Sequence, residues 1–244
     1  MKILNFICLF IISFTLYAND KLPPLEITEI QSGVYLHKSY NDVKGFGLVS
    51  SNGLIIIEDD KAFIVDTPWS TKDTAILVDW IKDKNYQLLG SVSTHSHEDR
   101  AAGIHWLNRQ EIPTYASSLT NEILTKAGKA IANNTIQDVN AVLADGMMTT
   151  FYPGAGHAVD NIIVWLPKLK ILFGGCLVKS MASKSLGYTG EAYLDKWSDS
   201  VTILQQKYSD AMLVVPGHGK PGDLKLLAHT KKLVKRSLKK TLTN

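Results

Sequence analysis

The chain has 244 residues, 45% hydrophobic and 20% charged, a balance that excludes disordered, collagenous and fibrous proteins and allows a buried core. Its 26 Lys and Arg against 23 Asp and Glu leave a formal charge of +3, too small and too scattered for a nucleic-acid groove. Small-molecule chemistry is the default, and no nucleic-acid partner is expected.

In chain order, Lys2 precedes an uncharged apolar run from Ile3 to Tyr17 that closes at Ala18, the pattern of a secretory signal peptide. The run is shorter than the roughly 20 residues of a spanning helix, which leaves an uncleaved anchor as the minor alternative. Residues 1–18 are therefore read as a signal peptide, and 19–244 as one periplasmic domain without membrane contact after cleavage. Gly53–Ile57 and Ala62–Val65 read as a hairpin ended by Asp66, Thr67 and Pro68. Thr71–Lys84 has a helical apolar pattern, and Leu88–Thr94 follows as a strand, giving a β-α-β unit. A helix over Ala101–Arg109, a strand at Thr114–Ala116 and a helix after Ser118 continue the alternation. The second half reads as strands at Met148–Tyr152, Ile162–Leu166 and Ile171–Gly174, a helix over Leu194–Tyr208, strand Met212–Val215 and a helix after Asp223. The lysines of that last helix are its solvated face or, alternatively, an anionic-surface binder. No Pro/Ser-rich linker divides the chain, so strands enclosed by helices on both sides are expected.

Thr94-His95-Ser96-His97-Glu98-Asp99 lies between a predicted strand and a predicted helix, a junction held at both ends. Two imidazoles and a carboxylate at alternate positions are a ligand set that zinc accepts. Further candidates recur where strands end, beside glycines: His157, Cys176 and His218. His37, His105 and His229 are read as ordinary residues. Cys8 falls in the signal segment, so Cys176 would be the one mature cysteine: an inert buried thiol, an intermolecular link or a metal-held thiolate. Six ligands exceed a closed four-ligand site, so two ions are the natural count. Imidazole and thiolate favour zinc over magnesium or calcium.

With these motifs, His95-Ser-His97-Glu-Asp99-Arg100, Gly156-His157, Gly175-Cys176 and Gly217-His218-Gly219, the chain resembles the metallo-β-lactamase superfamily over nearly all of its mature length. Cys176 and Arg100 make it similar to class B β-lactamases of the first, dizinc broad-spectrum subclass. Superfamily thioesterases of the glyoxalase II type usually have His after the Asp and a bridging Asp in place of Cys176. The resemblance implies an α/β four-layer αββα sandwich and two Zn2+ ions, one on His95, His97 and His157, the other on Asp99, Cys176 and His218. It implies a monomer that hydrolyses β-lactams (penicillins, cephalosporins and carbapenems) with a zinc-held hydroxide and so confers antibiotic resistance. Asp99 would orient the hydroxide, and Lys179 would bind the substrate carboxylate; without the resemblance Lys179 reads as a solvated surface lysine. A flexible loop, Ser39–Gly47, would cover substrate with Val43 and Phe46, which read equally well as core residues of a tight hairpin. Two positions depart from the family pattern. Tyr188 follows Leu186-Gly187 where Asn is usual, so it donates through its hydroxyl or shapes the pocket, and Ala158 replaces a hydroxyl residue after His157. Asp66 is either a support for the site or a turn former. The alternatives are another hydrolase of the superfamily, acting on a thioester, lactone or phosphoester, and a non-catalytic periplasmic zinc-binding protein.

Overall fold

The computed structural model describes residues 22–138 and 140–241, so the segment read as a signal peptide lies outside the described residues. The first sheet opens with an antiparallel meander, β1 (Glu26–Gln31), β2 (Val34–Val43), β3 (Gly47–Glu58) and β4 (Lys61–Val65). Helix α1 (Thr71–Asp83) crosses over to β5 (Gln87–Ser93), parallel to β4, confirming the β-α-β unit. Two short helices, α2 (Glu98–Ala101) and α3 (Ile104–Arg109), lead to β6 (Thr114–Ser117), and α4 (Ser118–Lys126) leads to β7 (Asn134–Ile136). Both strands extend the sheet in parallel. The second sheet is antiparallel through β8 (Val142–Leu143), β9 (Met148–Phe151), β10 (Ile163–Leu166) and β11 (Ile171–Gly175). After α5 (Leu194–Lys207), β12 (Leu213–Pro216) adds parallel to β11, and α6 (Lys225–Thr241) follows.

The apolar run Leu54–Ile57 does not alternate with polar residues because β3 is covered on both faces. Leu54 and Ile56 enter the core between the sheets with Phe63, Val92, Val164 and Phe173. Ile55 points the other way, with Ala62 and Ile64, onto Leu77, Val78 and Ile81 of α1. Of the apolar residues that give the helical pattern, Ala75, Ile76, Val78, Trp80 and Ile81, the helix buries Val78 and Ile81, together with Thr74 and Leu77, and leaves Ile76 exposed; Ser70 starts the helix by accepting the Asp73 N–H at 3.0 Å. On the far side Ile163, Leu172 and Val214 of the second sheet pack on Trp197, Val201 and Leu204 of α5 and on Leu226, Leu227 and Val234 of α6. Full burial of each such side chain stabilises the fold by roughly 1.5–3 kcal/mol. Helix, sheet, sheet, helix is the expected four-layer order.

Three expectations are corrected. The region read as a loop, Ser39–Gly47, is mostly ladder: β2 runs to Val43, β3 begins at Gly47, and only residues 44–46 turn, closed by Phe46 N–H donating to Val43 O at 2.8 Å. The helix expected from Ala101 starts at Glu98 and is interrupted after Ala101, where the Gly103 N–H donates to Thr67 Oγ1 at 2.8 Å, and Gly103 leaves no room for a Cβ beside Thr67 and Thr74. β1, β2, β7 and β8 were not expected, and β3 begins six residues earlier than read. Gly53, mid-strand, is required: a Cβ there would lie 2.2 Å from His37 Nε2.

Candidate metal centre

Asp66, His95, Cys176 and His218 all follow the carboxyl ends of strands, β4, β5, β11 and β12 respectively, so two packed sheets deliver their ligands to one rim. His97 is the N-cap residue of α2, Asp99 stands in that helix's first turn, and His157 sits in the connection from β9 to β10. The structure brings together all six residues singled out as ligands.

His97 Nδ1 lies 3.1 Å from both His95 Nε2 and His157 Nε2. Nitrogens held about 2.0–2.1 Å from a tetrahedral zinc would be roughly 3.3 Å apart, so this spacing suits one ion. Among the described residues, the other ring nitrogens of His95 and His157 are buried without hydrogen-bond partners. Burial, reinforced by neighbouring cations, holds both rings well below the usual imidazole range, hence neutral and able to ligate. Ring nitrogens that face only one another satisfy no hydrogen bonds in full, whereas a metal ion uses all three lone pairs.

The second group is built from different atoms. Cys176 Sγ lies 3.4 Å from Asp99 Oδ2 and 3.3 Å from His218 Nε2, and His218 Nε2 lies 3.4 Å from Asp99 Oδ2. His218 Nδ1 donates to Ser50 O at 2.6 Å, which turns Nε2 inward. Burial alone would lower His218, but Cys176 and Asp99 raise it to about 9, so a metal entering here displaces a proton. Donor atoms of His95, Asp99 and Cys176 also lie within 4.8 Å of one another, so the two triads abut.

Arg100 lies beneath the second group, fully buried. Its Nη2 reaches Asp99 Oδ2 at 2.8 Å, Gly217 O at 2.8 Å and Cys176 Sγ at 3.1 Å, while Nη1 donates to Asn52 O and to Asp66 Oδ2 at 3.1 Å. Burial would raise the Asp99 carboxyl, but Arg100 and His218 hold it well below the usual range, so it stays ionised. Gly217 must be glycine, since a Cβ would lie 2.7 Å from both Arg100 Nη2 and Cys176 Sγ. Asp66 fills both of its alternative readings: it takes a left-handed φ of 59° and also accepts the Thr94 N–H at 2.7 Å and one bond from Arg100 Nη1 at 3.1 Å.

His97, His157, Asp99 and His218 line a cleft of about 730 Å³, with His95 and Cys176 buried, a volume suited to a small organic ligand. Lys179 lines it and is buried, which overturns the surface-lysine reading; its Nζ lies 5.4 Å from the Trp197 ring. Phe46 lines the cleft from the hairpin tip while 52% exposed, so it is not a core residue, and half-buried Val43 stands beside it. Tyr188 packs its ring 6.0 Å from that of His97, and its hydroxyl folds back beside Gly190, so it shapes the wall. Ala158, buried, donates its N–H to Asn161 Oδ1 at 3.0 Å. Sequence reasoning missed Glu191, whose carboxylate takes the His97 Nε2 proton at 2.7 Å and leaves Nδ1 facing the triad. It also missed Asn52, whose side chain donates to Pro216 O and Gly219 O at 2.9 and 2.7 Å and grips the His218 loop. Neither carries a local signal, since both act from more than 90 residues away in sequence.

The family model described as metallo-beta-lactamase superfamily matches residues 46–218, from the hairpin tip to the last expected ligand. The chain belongs to the metallo-beta-lactamase superfamily. A Pseudomonas aeruginosa protein named metallo-beta-lactamase type 2 is 41% identical over 99% of this chain and 97% of its own length. Among solved structures, that of the DIM-1 metallo-beta-lactamase exposed to ceftazidime has a TM-score of 0.88 at 55% identity, covering 89% of this chain and 100% of that one. The TMB-1 structure has a TM-score of 0.87 at 56% identity, covering 88% of this chain and 99% of that one. The metallo-beta-lactamase fold is therefore shared across nearly all of the described residues.

Proposed function

We propose that this superfamily member is a zinc-dependent β-lactamase that opens the amide bond of β-lactam antibiotics. The observation that carries this reading is the pair of abutting donor triads, four of whose six residues, His97, Asp99, His157 and His218, line a cleft of about 730 Å³. It is supported by relatives named metallo-beta-lactamase that match almost end to end. The donor chemistry supports two ions, one held by His95, His97 and His157 and one by Asp99, Cys176 and His218. Zinc bound there supplies Lewis acidity and water acidified to a pKa of about 7.

The chain's own residues do the rest. Arg100 keeps Asp99 ionised, so its carboxylate can accept a hydrogen bond from the attacking water and orient it. Glu191 and Ser50 anchor His97 Nε2 and His218 Nδ1, so the other nitrogen of each ring faces the donors, where at His218 a metal would take the place of a proton. Lys179 presents an ammonium to a substrate carboxylate; burial lowers its pKa, while Cys176 and Asp99 oppose that shift. Phe46, Val43 and Tyr188 cover the apolar parts of the substrate and exclude water. The apolar run after Lys2 supports export to the periplasm, and among the described residues no helix is long and apolar enough to cross a membrane.

The test is turnover of a penicillin, a cephalosporin and a carbapenem by the purified protein, beside a thioester, a lactone and a phosphodiester. Lactam hydrolysis that stops in excess chelator and returns with zinc is expected. Full activity in chelator, or turnover confined to the other esters, would overturn the reading.

A further inference from the structure

We propose that Asp160 is a positioning residue for the three-histidine site, setting the separation between the loop that carries His95 and His97 and the loop that carries His157. The inference rests on those histidines holding zinc.

The three nitrogens that converge come from different sheets: His95 and His97 follow β5 of the first, and His157 precedes β10 of the second. Their spacing is therefore set by whatever fixes one sheet against the other at this rim. Two hydrogen bonds do so, on either side of His95. Ile162 N–H donates to Thr94 O at 2.9 Å, and Ser96 N–H donates to Asp160 Oδ2 at 2.9 Å. A pair of bonds to the residues flanking a third resembles a rung of a ladder, but here one acceptor is a side-chain carboxylate in place of a backbone carbonyl. The His95 side chain, between them, is thereby fixed on the opposite side.

Asp160 Oδ2 also accepts from Thr120 Oγ1 at 3.0 Å, and Thr120 is the residue whose N–H the N-cap Ser117 receives at 3.1 Å at the start of α4. The carboxylate thus joins three segments: the His95–His97 loop, the first turn of α4 and its own loop. Asn161 stiffens that last loop, accepting from Ala158 N–H and donating to Gly154 O at 2.8 Å, on either side of His157. This arrangement costs stability. Asp160 is buried, its Oδ1 is without a partner among the described residues, and burial raises its pKa. An apolar side chain would fill the space more cheaply, but only a short acceptor can hold the Ser96 N–H.

The test uses purified apo-protein and zinc alone, titrated against a competing chelator, with cobalt(II) as a spectroscopic probe. Asp160→Ala should weaken the three-histidine site by roughly 10- to 100-fold and leave the thiolate-to-metal charge transfer of cobalt at Cys176 intact. Asp160→Asn, which keeps an acceptor, should stay within about threefold of wild type on the same scale. Thr120→Val, which removes the other donor, should lower the melting temperature without changing zinc affinity. Should Asp160→Ala not fold, Asp160→Ser, whose hydroxyl is too short to reach Ser96, carries the same expectation. Wild-type affinity in the Ala or Ser variant, equal losses in Ala and Asn, or equal weakening of both sites would overturn the proposal. Wild-type protein that takes up no zinc at the histidines would instead overturn the underlying reading.

Discussion

Lys179 illustrates how one side chain's role follows from where its charge is kept. Its stem is buried beside Trp197 and its backbone N–H is tied to Thr230 Oγ1 at 2.8 Å, so little conformational freedom remains to be lost when an anion arrives. A contact to a remote carboxylate persists from bound substrate to transition state, so Lys179→Ala should raise KM more than it lowers kcat. The expected loss in kcat/KM is about 1.5–3 kcal/mol for a charge-assisted contact. Steady-state kinetics on a carboxylate-bearing β-lactam measures it, and an unchanged KM would detach Lys179 from substrate. His95, His97, Asp99, His157, Cys176 and His218 were legible as candidates because metal-binding side chains are of particular types and glycines crowd the strand ends that carry several of them. Glu191 and Asp160 were not, because a carboxylate that supports a ligand looks like any surface acid until the fold brings it across.

The β2–β3 hairpin shows where element-level reading fails. Residues such as His37, Ser39, Asn41 and Ser50 alternate too poorly in hydrophobicity to announce strands, yet the ladder is continuous from Val34↔Ile56 to Val43↔Gly47. The backbone hydrogen bonds of partners and not side-chain preference hold this arm, a context that a single sequence does not display. By contrast, α1 and the strand cores of both sheets were readable, because burial imposes their periods directly. At the hairpin tip Phe46 contributes little to the folded state, so Phe46→Ala should change stability by no more than about 0.5 kcal/mol. Its ring can bury against substrate, so KM for a β-lactam with an apolar side chain should rise roughly five- to thirtyfold, as loss of about 1–2 kcal/mol requires. A melting curve and a KM measurement separate the effects: destabilisation without a change in KM would make Phe46 structural.

For the molecule as a whole, an internal imidazole outside the cleft adds to the acid sensitivity that the buried rings of His95 and His157 bring to the metal-free protein. His37 is buried, donates from Nε2 to Asp66 O at 2.9 Å and faces Arg100; burial lowers its pKa to about 4. Its folded value lies below its unfolded value near 6.5, so the stability it contributes is present above pH 6.5 and is lost as pH falls toward 4, on the order of 3 kcal/mol in all. Asp66, raised to about 6 by burial against the pull of Arg100, acts in the opposite sense over the lower part of that window. Comparison with His37→Gln isolates the histidine: chemical denaturation in excess chelator should show a shallower loss of stability between pH 6.5 and 4 in the variant. Parallel curves would assign the acid sensitivity elsewhere. The placement of the ligands has a further consequence for biogenesis. Each triad draws from both sheets, His157 completing one and Cys176 with His218 the other. A nascent chain that has emerged only through residue 156 can therefore complete neither, and the second must wait for residue 218. Zinc held by both triads would therefore have to follow the docking of the two sheets, and the rate of zinc uptake by refolding protein would report that docking.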